Sequence, residues 1–156
     1  MLLAASELYP RYPEERSMSA TKRIPVAEGL FAETADGPRL LGSKCATCKT
    51  PYFPKSPVCH NPDCRETKME DSTFGPRGTL WSYSIQYYPP PPPAKYDEPY
   101  TPYALGLIDL PEGLRVLARI STDDPEGLKV GAEVELVLER LSGDGDGNEI
   151  ITWMFR

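Results

Sequence analysis

In the second half of the chain, apolar and polar residues alternate in short runs separated by glycine- and proline-rich turns. Trp81, Tyr83, Ile85 and Tyr87 alternate with Ser82, Ser84 and Gln86, the period-two pattern of a half-buried strand with its aromatic face inward. Tyr103 to Leu110 and Leu114 to Ile120 flank the turn Pro111-Glu112-Gly113 and predict a hairpin, with Leu114, Val116, Ala118 and Ile120 opposing Arg115 and Arg119. A fourth strand follows Gly131, where Val134, Leu136 and Leu138 face away from Glu133, Glu135 and Glu139. Beyond the turn over 142–148, a fifth places Ile151, Trp153 and Phe155 on one face. Five short strands with no helical pattern between them predict a small antiparallel barrel.

The first part of the chain reads differently. Residues 1–23 carry Pro10, Pro13 and scattered charges without a sustained period, the pattern of an irregular arm that orders only against something else. From Ile24 to Thr34, Pro25 suits a first helical turn and Ala27, Leu30 and Phe31 share a helical face, which predicts a short helix weakened by Gly29. The organisation expected is therefore an N-terminal arm with a short helix over 1–39, a cysteine-bearing segment over 40–75 and the barrel over 76–156.

Composition narrows the class. Eighteen prolines and nine tyrosines in 156 residues argue against a helix bundle. No apolar run approaches the roughly 18 residues a membrane-spanning helix needs, and Met1 to Ala5 lacks the basic flank of a signal peptide, so a cytoplasmic protein is expected. Charge is uneven: residues 97–156 carry five basic and thirteen acidic side chains, residues 40–96 seven and four. Phosphate backbones are bound by clustered Lys and Arg, so the acidic barrel argues against nucleic acid even though Tyr83, Tyr87, Tyr88, Tyr96, Tyr100 and Tyr103 would otherwise suit base stacking.

All four cysteines fall within twenty residues, as Cys45-Ala-Thr-Cys48 and Cys59-His-Asn-Pro-Asp-Cys64. Two such knuckles bring four thiolates around one tetrahedral ion, for which Zn2+ is the usual occupant. Two disulfides suit a cytoplasmic chain poorly, and an iron centre is the less common use of this spacing. His60 is a spare donor beside Cys59, expected on the surface of its knuckle. With Cys45, Cys48, Cys59 and Cys64 as ligands the site is closed, leaving no position for a reactive water, so the metal is expected to be structural. A ribbon this small uses metal binding as folding energy.

Nothing else in the chain reads as catalytic machinery. Once zinc takes the cysteines no Cys-His pair is left, and no Ser-His pair is evident. Asp97, Glu98 and Asp109 read as solvated acids near a long loop. The run from Asp144 to Glu149 opens like a calcium loop but lacks the sixth-position glycine and the closing glutamate, so it reads as a hairpin turn. Pro89 to Pro93 predict a stiff polyproline II spacer, or a lid edge against a partner.

The chain, over roughly residues 24–156, resembles the rubredoxin-like zinc-ribbon plus OB-fold family of acyl-CoA-associated proteins. The resemblance rests on the cysteine ribbon with its Pro51-Tyr52-Phe53-Pro54 arm and on Gly78 to Tyr83 opening the barrel. It rests also on Pro99 to Leu110 and on Gly127 to Val134. The Cys-x4-Cys second knuckle and the proline run depart from the general pattern. The resemblance implies a mainly β fold with an N-terminal helical arm, a zinc ribbon and a five-stranded OB barrel. It implies a non-catalytic accessory subunit bound to a thiolase-like catalytic subunit, two copies of each, covering an acyl-CoA pocket, with the CoA-binding residues unknown. Complexes of this kind include retro-aldolases of steroid side-chain acyl-CoA and the thiolase that cleaves 2-benzoylsuccinyl-CoA to benzoyl-CoA and succinyl-CoA in anaerobic toluene degradation. The overall layout points to the second, and a zinc-ribbon nucleic-acid module is the competing class.

Overall fold

A computed structural model describes residues 21–65 and 67–156. The expected arm over 1–23 therefore lies almost wholly outside the described residues. Ten strands follow in order: β1 (Arg23–Pro25), β2 (Phe31–Thr34), β3 (Gly37–Cys45), β4 (Pro51–Tyr52), β5 (Met69–Phe74), β6 (Arg77–Gln86), β7 (Tyr103–Leu110), β8 (Leu114–Ile120), β9 (Glu133–Gly143) and β10 (Glu149–Phe155). A single 3-10 turn at Pro125–Gly127 is the one helical element among the described residues. No described helix is long and apolar enough to cross a membrane.

β6 to β10 form a closed barrel. β6 pairs with β7, β7 with β8, β8 with β10, β10 with β9 and β9 with β6, so the ladder returns to its start and leaves no open edge. All contacts but one are antiparallel as the alternation predicted. The exception is β8 with β10, which run parallel with Met154 beside Arg119 and Phe155 beside Ile120. Parallel neighbours need a long crossover, here supplied by β9 on the far side of the barrel. This is the strand order of an OB-fold.

The helix expected over Ile24–Thr34 is not formed. β1 instead adds to the barrel, parallel to β10 with Ile24 beside Ile150, and β2 pairs with β3 in the second sheet. Between them Gly29 adopts φ +75°, a left-handed conformation that turns the chain from one sheet to the other. Pairing with strands that are distant in sequence outweighs a weak local helical pattern. Phe31 is then spent on an aromatic contact with Trp153, whose ring centre lies 6.0 Å away.

A second correction concerns Trp81, which the alternation placed inward. The β6–β7 register slips between Leu80 and Ser82, a bulge that accommodates Trp81 as an extra residue. Leu80 is fully buried and Tyr83 packs against the core, whereas Trp81 is 49% exposed. The Arg115 guanidinium covers its ring at 3.7 Å and is held in turn by both Asp109 carboxylate oxygens.

β2, β3, β4 and β5 make the smaller sheet, with β3 at its centre. Its inner residues Leu40 and Phe74 join Leu80, Ile108, Leu136 and Phe155 in one continuous core, so ribbon and barrel share their apolar interior. Trp153 closes the seam between them, taking Phe53 edge-on at 5.5 Å while its indole N–H donates to the Leu117 carbonyl. The tip of the β7–β8 hairpin adds a polar tie, Glu112 Oε1 accepting the Gly75 N–H at the point where the chain enters the barrel.

The proline run is not one uninterrupted polyproline II segment. Pro91 to Ala94 form a turn closed by the Ala94 N–H donating to the Pro91 carbonyl, with a cis bond between Pro92 and Pro93. The turn brings Tyr96, Asp97 and Tyr100 back over the barrel. Asp97 meets Arg140 of β9 and accepts the Gly143 N–H.

Candidate metal centre

The cysteine site is built at the end of β3 and in the loop between β4 and β5. Cys45 is the last residue of β3 and is fully buried. The chain turns sharply after it: the Lys49 N–H donates to the Cys45 carbonyl, the Cys45 N–H donates to the Thr50 carbonyl, and Lys49 takes φ +63°. The lysine side chain steadies that left-handed residue by donating to the Ala46 carbonyl at 2.7 Å. This turn swings Cys48 back beside Cys45. In the wider second knuckle, the Asn61 carbonyl accepts the Cys64 N–H and its side-chain oxygen accepts the Asp63 N–H, so the two extra residues are folded into the turn.

The four sulfurs all lie within 4.8 Å of one another, Cys45 Sγ 3.8 Å from Cys64 Sγ and Cys48 Sγ 3.5 Å from Cys59 Sγ. Tetrahedral Zn–S bonds of about 2.3 Å require sulfurs about 3.8 Å apart, so the residues fit that ion. All four cysteines are free of disulfides. Sequence reasoning therefore named side chains that the fold brings together, and they are positioned for zinc binding.

The surroundings favour thiolates. The Thr50 hydroxyl donates to Cys48 Sγ at 3.1 Å and is the main reason why the Cys48 thiol is lowered from 9.0 to about 6. The Tyr52 hydroxyl donates to Cys59 Sγ at 3.3 Å, and the negative sulfur raises the phenol's own pKa. Thr50 escaped the sequence reading, and Tyr52 entered it only as part of the arm over residues 51–54, without a role at the sulfurs. Their closeness to the first knuckle was the available signal, but only the turn at Lys49 aims their hydroxyls at sulfur.

His60 lies exposed on its knuckle, its ring edge-on to Tyr52 with centres 5.5 Å apart. It does form a Ser-His contact that the sequence did not reveal, Ser56 Oγ to His60 Nε2 at 2.8 Å. The contact is arranged as a structural tie. The single Ser56 hydroxyl proton goes to the Val58 carbonyl at 2.7 Å, which leaves His60 Nε2 as a donor to Ser56 Oγ rather than a base for it. Ser56 is bound in turn to buried Ser43 of β3, anchoring the proline-rich arm.

Of the remaining acidic candidates Glu98 lies exposed, while Asp97 and Asp109 are occupied. Arg140 and the Gly143 N–H hold Asp97 below the usual carboxylate range, and Arg115 does the same for Asp109. A general acid would need the opposite shift. Asp144 accepts the N–H groups of Asp146 and Asn148 and the Asn148 side-chain amide, so its oxygens close the hairpin turn.

A four-cysteine ribbon fused through one core to an OB barrel defines a class of zinc-ribbon plus OB-fold proteins. Two family models match: ChsH2, rubredoxin-like zinc ribbon domain, over residues 35–70, and ChsH2, C-terminal OB-fold domain, over residues 72–139. The chain belongs to this ChsH2 family. It is 34% identical over 118 residues to a DUF35 domain-containing scaffold protein of Methanocaldococcus jannaschii, covering 75% of this chain and 79% of that one. It is 33% identical over 129 residues to the benzoylsuccinyl-CoA thiolase subunit BbsA of Thauera aromatica, covering 81% and 83%. Among solved structures, a chain of the Ltp2-ChsH2(DUF35) aldolase superposes with a TM-score of 0.58 at 26% identity, covering 76% and 84%.

Proposed function

We propose that this chain is a non-catalytic accessory subunit of a thiolase-like enzyme acting on an acyl-CoA, stabilised by one structural zinc ion held by Cys45, Cys48, Cys59 and Cys64. The observation that carries the reading is that all four cysteines are gathered in one closed cluster. With them so committed, the described residues offer no nucleophile facing a competent base. The zinc, when bound, supplies folding energy and fixes the geometry of the ribbon. The names of relatives support the assignment: one is a thiolase subunit, others are scaffold proteins, and the structural neighbour is an aldolase assembly.

In this role the chain contributes surface rather than chemistry, ordering the partner's active site and excluding water from it. The assembly contains two copies of each subunit, and its substrate is 2-benzoylsuccinyl-CoA, cleaved to benzoyl-CoA and succinyl-CoA. The aldolase assembly of the neighbour favours one second reading, a retro-aldolase of steroid side-chain acyl-CoA. Co-expression with a thiolase-like catalytic subunit tests both. Cleavage of 2-benzoylsuccinyl-CoA only by the co-purified complex, with about one zinc per small subunit, is the expected result. Cleavage of a steroid side-chain acyl-CoA instead selects the aldolase. Full activity of the partner alone refutes the accessory role.

A further inference from the structure

Residues 87–102 join β6 to β7 with no strand or helix of their own. Connections longer than roughly 12–15 residues without secondary structure are uncommon in compact domains, and most of them are functional. The first half of this one reads Tyr87-Tyr-Pro-Pro-Pro-Pro-Pro-Ala94 and has no charged side chain, in a chain of net −6. All of it is exposed except half-buried Pro90. Tyr88 is 85% exposed, the most exposed large apolar side chain among the described residues, and Tyr87 beside it is 53% exposed. A tip of this composition leaves apolar area in water with no gain to the fold.

The tip is nevertheless held still. Where the loop leaves β6, Tyr87 donates its hydroxyl to Glu126 Oε1 at 2.9 Å. The Ala94 N–H closes the turn on the Pro91 carbonyl. Behind the turn, Tyr96 meets Tyr100 edge-on with centres 5.6 Å apart, the Tyr100 hydroxyl donates to the Gln86 carbonyl at 2.7 Å, and Asp97 is clasped by Arg140 and the Gly143 N–H. Five prolines fix φ through the middle. The cost of ordering the tip is therefore met largely in the free chain, and an association made through it does not have to offset that cost again. An uncharged aromatic centre with Lys95, Asp97 and Glu126 at its border has the composition of an interface core within a polar rim.

The chemistry of the tip selects its partner. Prolines carry no N–H, so the run offers carbonyl acceptors and ring faces and cannot extend a strand ladder. Such a surface fits a groove lined by aromatic side chains with N–H or O–H donors among them. The aromatic cleft of this chain itself, where Tyr96, Tyr100 and Tyr103 meet Arg119 beneath the loop, is too small to receive the tip of a second copy. Its volume of about 210 Å³ is under the roughly 300 Å³ at which pockets for whole small ligands begin. We propose that Tyr87–Ala94 is an anchor that docks in an aromatic-lined groove of the catalytic subunit, with the Tyr88 ring at its centre. The proposal rests on the accessory-subunit reading above and adds the contact surface to it. Because the proline run lies outside the family's general pattern, this contact sets which catalytic subunit the chain accepts.

The test is dissociation on dilution of the co-expressed complex of full zinc-loaded chain and thiolase-like catalytic subunit, with sedimentation of the chain alone as a second arm. Tyr88→Ala is expected to weaken the complex about thirtyfold or more, with zinc content and melting temperature unchanged because the side chain is exposed. Tyr88→Phe keeps the ring and is expected to stay within about threefold of the native affinity. Pro89→Gly combined with Pro90→Gly leaves the ring in place but returns the ordering cost to the association, for a loss of about fivefold. A complex indifferent to Tyr88→Ala overturns the anchor and leaves the accessory role standing. Co-expression that yields no complex of the native chain overturns both. Self-association of the chain alone that Tyr88→Ala abolishes makes a second copy the occupant and overturns the assignment to the catalytic subunit.

Discussion

Cys48 and Asp97 show how single side chains are committed by their neighbours. Replacing Cys48 by Ser removes one of four sulfurs and sets a neutral hydroxyl beside the Thr50 hydroxyl in its place. Zinc content by elemental analysis is expected to fall well below one ion per chain, and the ribbon to lose ordered structure, since apparent zinc-site energies of roughly 10 kcal/mol or more are folding energy in such modules. Asp97 carries a pH prediction. Its folded pKa lies below the ordinary value, so the clasp to Arg140 and Gly143 is complete above the normal carboxylate range and is lost as pH falls through the folded value. Hydrogen exchange at the Gly143 amide is the measurement: protection is expected to hold at neutral pH, to fall in acid, and to be reduced at all pH values by Asp97→Asn. Both side chains stand out in the sequence, Cys48 by its spacing and Asp97 as an acid near a long loop. Their partners do not, because Thr50 is aimed by a left-handed turn and Arg140 is brought in across the barrel.

At the scale of elements, β3 and β5 bind the two sheets together. Phe74, at the end of β5, is fully buried in the shared core. Phe74→Ala is expected to cost about 3–5 kcal/mol in urea unfolding, with no loss of zinc from chain that remains folded. Gly42 in β3 tests packing from the other direction. A Cβ there would stand 2.3 Å from the Tyr52 carbonyl oxygen and 2.4 Å from the Phe74 ring. Gly42→Ala should therefore destabilise the chain by about 1–3 kcal/mol and displace β4, seen as shifted Tyr52 and Phe74 resonances. The five barrel strands were legible because period-two alternation is local, and each has one face on a core. The 24–34 segment was not, since its apolar residues fit a helix face as well as two short strands and its pairing partners lie elsewhere in the sequence. The bulge at Trp81 was hidden for a related reason: one extra residue reverses the face of everything on one side of it.

For the molecule as a whole, zinc and core are coupled. Leu40 and Phe74 of the ribbon sheet pack in the same cluster as the barrel residues, and Phe31 and Phe53 close over Trp153 of β10. The zinc-loaded chain is expected to melt in a single calorimetric transition. Removal of the metal by a chelator should lower that transition and weaken association with the catalytic partner in parallel; two separate transitions would show the ribbon and barrel to be independent.

The sequence by itself determined the mainly β class, the five barrel strands and the identity of the cysteine cluster. Each is encoded by spacing within a few tens of residues, which is the range over which backbone geometry alone dictates which side chains share a face or a point. Tertiary structure decided the parallel closure of β8 on β10, the strands formed by 24–34 and the outward position of Trp81. It also decided the direction of the Ser56–His60 hydrogen bond and the gathering of Tyr96, Tyr100, Tyr103 and Arg119 around one cleft. Those features depend on pairings between distant segments, whose energies come from shared burial and hydrogen bonding that no local pattern records.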